Sequence, residues 1–114
     1  MCIRDSFMAD LPAPIFAFSI KTVKGTEITG TNTMFEKAFL EPVKAGAVKD
    51  ITFTQKMSLQ GGEYLLSFGV TGYDGNDFQV YHRLYDALDL TVISDKNTVG
   101  FYDMDSKVIV KDAE

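Results

Sequence analysis

The chain has 114 residues, 46% of them hydrophobic and 24% charged. Those values fit one small folded domain and exclude both an intrinsically disordered chain and two separate domains. No apolar run is long enough to span a bilayer with a helix. The formal charge of −5 argues against nucleic acid or an anionic membrane surface as partner, since both require clustered Lys and Arg.

Taken in order, residues 1–13 read as an unstructured leader. Met1 to Ser6 shows neither periodicity nor turn chemistry, as an appended or mis-assembled segment would, and the start lacks the cationic and apolar regions of a secretory signal. Cys2 is the single cysteine, so no internal disulfide is available, which fits a reducing compartment. The folded domain is expected over residues 14–112. From Pro14 to Thr22, Phe16, Phe18 and Ile20 alternate with Ala17, Ser19 and Lys21, which predicts a half-buried strand. Lys24-Gly25 marks a turn, and Glu27 to Gly30 a short return strand. Thr33 and Glu36 have capping-box spacing for one helical turn, with Met34, Ala38 and Phe39 inward; Pro42 and Gly46 stop it growing.

Val48 to Met57 returns to strand character, with Ile51 and Phe53 inward. A Leu, a Gly-containing bend and a Tyr at Leu59 to Tyr64 have the spacing of the tyrosine corner of immunoglobulin-like sandwiches. Two strands joined by a turn at Asp74-Gly75 follow. Tyr64, Leu66, Phe68 and Val70 share one face of the first. In the second, Phe78, Val80 and Leu84 lie on one side and Tyr81, Arg83 and Tyr85 on the other, with His82 pointing toward the core or an interface. The second strand is expected to continue past a kink near Asp86, and Val99 to Val110 to supply one or two closing strands. Some six short alternating strands predict an all-β, immunoglobulin-like antiparallel β-sandwich lacking its first strands, with edges open to another chain.

The usual catalytic arrangements are missing from the pattern. His82 is the only histidine and has no nucleophile at a motif spacing, there is no nucleophile elbow, and no Gly-rich phosphate loop ends in Lys-Ser or Lys-Thr. The oxygen-rich Asp74 to Asp77 segment lacks the calcium-loop spacing and terminal Glu and reads as a hairpin turn. No enzyme, cofactor or metal site is therefore expected. The stripe Tyr81, Arg83, Tyr85 stands out, since period two sets its members about 7 Å apart on one face. Aromatic rings can lie on the apolar faces of sugars, while Arg83 and Asp86 supply donors and acceptors for hydroxyls or an anionic substituent. A cross-strand ladder or a dimer contact accounts for the same stripe equally well. Tyr102, in Phe101-Tyr102-Asp103, can extend either surface.

Four segments together, PIFAFSIKTVKGTEITGTNT, GGEYLLSFGVTGYDG, VYHRLYDALDLTVIS and NTVGFYDMDSKVIV, resemble the C-terminal carbohydrate-binding domain of Wzt, the ATP-binding subunit of ABC transporters that export O-antigen polysaccharide. The resemblance runs from about Pro14 to Val110. It implies a non-catalytic module that recognises the modified non-reducing end of a finished glycan at the cytoplasmic face of the bacterial inner membrane. It also implies a parent protein that pairs with a transmembrane permease, and a homodimer that exchanges its last strand, here Val99 to Val110. The candidate glycan-binding residues are Tyr81, Arg83, Tyr85, Asp86 and Tyr102. The alternative is a dimerisation module with no sugar site.

Overall fold

The computed structural model describes residues 1–113, which form six strands: β1 (Cys2–Ser6), β2 (Ile15–Thr22), β3 (Glu27–Asn32), β4 (Val48–Thr52), β5 (Gly62–Asp74) and β6 (Asp77–Val92). All pair antiparallel, in a four-stranded sheet of order β3-β2-β5-β6 and a two-stranded sheet, β1-β4. This is the all-β sandwich that the alternating pattern predicts.

Strict alternation in β2 and β5 builds the core. Phe16, Phe18 and Ile20 of β2 and Tyr64, Leu66 and Val70 of β5 are buried on the inner face of the larger sheet. The second layer covers them with Phe7, Val43 and Phe53. Phe7 meets Phe16 edge-on at 6.2 Å, and Phe18 meets Phe53 at 4.9 Å, the aromatic geometry that favours a positive ring edge on a negative face. Each such side chain contributes roughly 1.5–3 kcal/mol when fully buried. Thr33 is the one buried polar residue among those described. Its Oγ1 accepts the Phe16 N–H at 3.2 Å, while its own N–H donates to the Phe16 carbonyl at 2.9 Å, so the chain leaving β3 is bolted to the start of β2.

The tyrosine corner is present: the Tyr64 hydroxyl donates to the Gln60 carbonyl at 2.5 Å. The β5–β6 hairpin closes with Asp74 opposite Asp77, and Gly75 has a φ of 64°. Gly at the first central position with positive φ is what a type II′ turn requires. At the tip Tyr73 and Phe78 pack edge-to-face, 5.5 Å apart.

Five local expectations are corrected. Within the expected leader, Cys2–Ser6 forms β1 and Phe7 is buried in the core. Sequence pattern misses β1 because it is a polar strand whose cross-strand partner supplies the stabilisation. Arg4 lies opposite Asp50 and holds it bidentately at 2.7 and 3.0 Å; this hydrogen bonding holds the Asp50 carboxyl below its ordinary range and the Arg4 guanidinium above its own. Residues 33–37 form turns rather than a helical turn: Asn32, not Thr33, accepts from the first free N–H, that of Phe35, because Thr33 is committed to Phe16. Ala38 and Phe39 are exposed rather than inward. β4 ends at Thr52, short of Met57, and Val99 to Val110 forms no strand, making only the Leu59–Tyr102 bridge before running out exposed. Strand patterning is not enough where no second edge lies alongside.

Candidate functional site

The outward residues of the two central strands are small. Ala17 lies opposite Gly69 and Ser19 opposite Ser67, on the face away from Phe16, Phe18, Leu66 and Val70. Large side chains inward and small ones outward leave a shallow trough of about 430 Å³ along the outer face, walled by Arg83 and Tyr85 of β6 and by Lys21 and Glu27. Arg83 sits opposite Gly69, and its Cγ lies 3.9 Å from where a Cβ on Gly69 would stand. The absent side chain lets the arginine stem lie across the strand. Arg83 Nη1 donates to the Tyr85 hydroxyl at 3.2 Å.

Asp86 adjoins the trough, bonded to Ser67 and Lys21 of its lining. It has a φ of 51° and sits in a bulge between the Leu66 and Phe68 pairings, the kink expected at this position. Here three residues of β6, 85–87, stand against Ser67 alone, and such an insertion bends the strand and re-aims its side chains. The Asp86 N–H donates to Ser67 Oγ at 2.9 Å, and the carboxylate pairs with Lys21 Nζ at 2.8 Å. Lys21 is thereby neutralised, whereas Arg83 has no carboxylate partner among the described residues. The trough therefore presents the Tyr85 phenol, 70% exposed, the Arg83 guanidinium, the Glu27 carboxylate and two serine hydroxyls, with the Asp86 carboxylate beside it. That set can stack on an apolar ring face and exchange hydrogen bonds with hydroxyls or an anion.

Arg83, Tyr85 and Asp86 are thus brought together, and Tyr81 and Tyr102 are not. A second bulge, between the Val70 and Thr71 pairings, makes Tyr81 an extra residue in β6. Its ring turns to the inner face and lies over Gly72, where an added Cβ would meet it at 3.0 Å. Its hydroxyl is buried with no hydrogen-bond partner. The same bulge puts Val80 opposite Thr71 and Leu84 opposite Phe68, so Val80 and Leu84 face opposite ways, contrary to plain alternation. His82 falls opposite Val70 but is exposed. Tyr102 lies at the mouth of a separate groove between β3 and residues 52–59. Sequence reasoning missed Lys21, Ser67 and Gly69. Their signal was the run of small outward residues on two strands, which marks a trough floor only once those strands are known to be neighbours.

Fold and site together define an antiparallel β-sandwich domain with a polar trough on one outer face. The chain belongs to the Wzt C-terminal domain family, whose model matches residues 1–104. A solved structure described as the crystal structure of the C-terminal domain of wzt is similar, with a TM-score of 0.86 and 27% identity. The likeness covers 96% of this chain and 68% of that one. No curated protein matches the chain. No helix among the described residues is long and apolar enough to cross a membrane.

Proposed function

We propose that this domain is a non-catalytic glycan-binding module that recognises the modified non-reducing end of an O-antigen-type polysaccharide. On this reading it serves an ABC transporter at the cytoplasmic face of the inner membrane, in a parent protein paired with a permease subunit. The observation that carries the reading is the trough, where Tyr85 supplies a stacking face and Arg83 a cation without an ion-pair partner. Tyr85 packs against the ring of the terminal sugar, Arg83 donates to its substituent, and Asp86 with Ser67 accepts from and donates to neighbouring hydroxyls. Tyr81 and Tyr102 take no part, since the first faces inward and the second lies at a different groove.

Arg83→Ala and Tyr85→Ala test this. Titration of each with capped and uncapped polysaccharide is expected to show lost preference for the capped chain, with thermal stability and oligomeric state unchanged. Unaltered binding in both variants would remove the sugar site from this face.

The domain is also read as a homodimer formed through its C-terminal strand. The supporting observation is the tail, where Val108, Ile109 and Val110 are 81–87% exposed, a run that a lone domain rarely leaves in water. Light scattering of the intact chain and of a chain ending at Asp103 tests it: a dimer that becomes a monomer on truncation is expected. A dimer with no glycan affinity would favour the interaction-module reading instead.

A further inference from the structure

The β5–β6 hairpin runs past the rest of its sheet. β2 reaches only Ile15, opposite Thr71, while β5 and β6 stay paired as far as Asp74 and Asp77. Residues 72–79 therefore stand clear of β2. Their root is fixed from the inner side. A Cβ on Gly72 would meet the Tyr81 ring at 3.0 Å and the Ala13 carbonyl at 3.3 Å, so both lie close against the glycine backbone.

The outer side is bare. Alternation along β5 carries the face of Ser67, Gly69 and Thr71 on to Tyr73, and the pairings Thr71–Val80 and Tyr73–Phe78 add Val80 and Phe78 to it. Tyr73, Phe78 and Val80 are 46%, 51% and 49% exposed. Thr71 also lines the trough, so the apolar patch continues the trough along the same face. From the Gly69–Arg83 pair to the Tyr73–Phe78 pair is four residues, about 14 Å at the rise of a strand, longer than one sugar ring. A need to hold the hairpin together accounts for the edge-to-face contact of the two rings, but not for the charges beside them. Asp74 stands opposite Asp77, a like-charge pairing that weakens a hairpin. Neither carboxylate has an ion-pair partner among the described residues. A tip built for stability alone would carry opposite charges there.

We infer, resting on the glycan reading above, that the outer face of this hairpin is a second subsite, which binds the sugars that follow the capped end and selects uncharged, hydroxyl-rich ones. With the terminal sugar in the trough, the chain runs along β5 and β6 toward the tip. The apolar faces of its next rings pack on Val80, Tyr73 and Phe78. Asp74 and Asp77 make the tip negative, so a carboxylate-bearing sugar is repelled there, whereas Arg83 accepts an anionic substituent in the trough. Charge is thus sorted along the bound chain, with an anion accommodated at its end and neutral rings beyond.

Calorimetric titration with fragments of the native polysaccharide that keep the capped end, fractionated by length, tests this. In the parent, affinity is expected to rise roughly three- to tenfold once a fragment is long enough to leave the trough. Tyr73→Leu combined with Phe78→Leu keeps apolar bulk but removes the ring faces. It is expected to abolish that gain while the shortest capped fragment binds as before. Tyr73→Phe, which retains a ring, keeps the gain. Long fragments whose primary hydroxyls have been oxidised to carboxylates are expected to show no gain over equally oxidised short ones.

Equal affinity of the parent for all lengths, or a gain that survives the double leucine change, overturns the second subsite and leaves the trough reading intact. Equal losses for short and long fragments overturn it too, since the rings would then act by holding the trough in shape. An undiminished gain with oxidised fragments overturns the selection for uncharged sugars. A parent that binds no capped fragment of any length overturns the glycan reading, and the second subsite with it.

Discussion

Two tyrosines of this domain carry hydroxyl groups in opposite energetic situations, and removing each makes a matched pair of measurements. Tyr64 is buried in the core and its hydroxyl donates to the Gln60 carbonyl at 2.5 Å across the corner. Tyr81 has a buried hydroxyl without a partner, held over Gly72 by the bulge in β6. Tyr64→Phe removes a hydrogen bond and leaves a carbonyl without its donor, which costs about 1 kcal/mol or somewhat more. Tyr81→Phe removes a desolvated group that gains nothing in return, so it is expected to stabilise by about 1 kcal/mol, with the ring packing retained. In urea, with a slope of roughly 1–3 kcal/mol/M for a small domain, each change moves the unfolding midpoint by about 0.3–1 M. The midpoint falls for Tyr64→Phe and rises for Tyr81→Phe, at unchanged slope. Chemical denaturation followed by far-UV circular dichroism reads both. A Tyr81→Phe midpoint as low as that of Tyr64→Phe would refute the reasoning, because the Tyr81 hydroxyl would then be making a bond of ordinary value.

Three further outcomes are expected. Gly69→Leu places a side chain in the trough, where a Cβ meets only the His82 carbonyl at 3.7 Å and Arg83 Cγ at 3.9 Å. Polysaccharide titration should show binding abolished while stability changes by about 1 kcal/mol or less. Phe16→Ala empties the fully buried centre of the core and should cost about 3–5 kcal/mol, a large part of the total stability of a small domain, measured by the same urea titration. Asp50 has a depressed carboxyl value because Arg4 hydrogen-bonds its ionised form. Its contribution is therefore present above the unfolded carboxylate value of about 3.9 and is lost as pH falls through the lower folded value. Comparing the parent with Asp50→Asn from neutral pH down into the acid limb should show the stability difference shrinking, and high salt should reduce it at every pH because the pair is exposed. A difference that grows on acidification contradicts the sign.

How much was legible from residues alone depended on how local the cause was. The β2 and β5 cores, the tyrosine corner, the Gly75 turn and the kink at Asp86 all follow from period-two burial or from backbone demands of single residues, and all are present. Of the five candidate site residues, Arg83 and Tyr85 line one trough and Asp86 adjoins it. Tyr81 was misplaced because a bulge shifts the period by one residue, and a bulge is set by the partner strand's register rather than by the bulged strand's own pattern. Lys21, Ser67 and Gly69 escaped notice for the related reason that a trough floor is shared between strands far apart in sequence. β1 was hidden because its polar residues carry no burial signal; its register against β4, and the Arg4–Asp50 pair, exist only once the chain has returned through 46 residues.

By itself, then, the sequence determined which residues turn inward along β2 and β5, where the chain reverses, and that the result is a β-sandwich. Each of these is decided by the alternation of side chains along a strand or by the φ that one residue tolerates. The tertiary structure alone decided which strands are neighbours, where register slips, and so which outward side chains share a surface. It also decided that the tail makes only the Leu59–Tyr102 bridge and forms no strand. Strand pairing is a contact between distant segments, and a one-residue slip turns every following side chain to the other face.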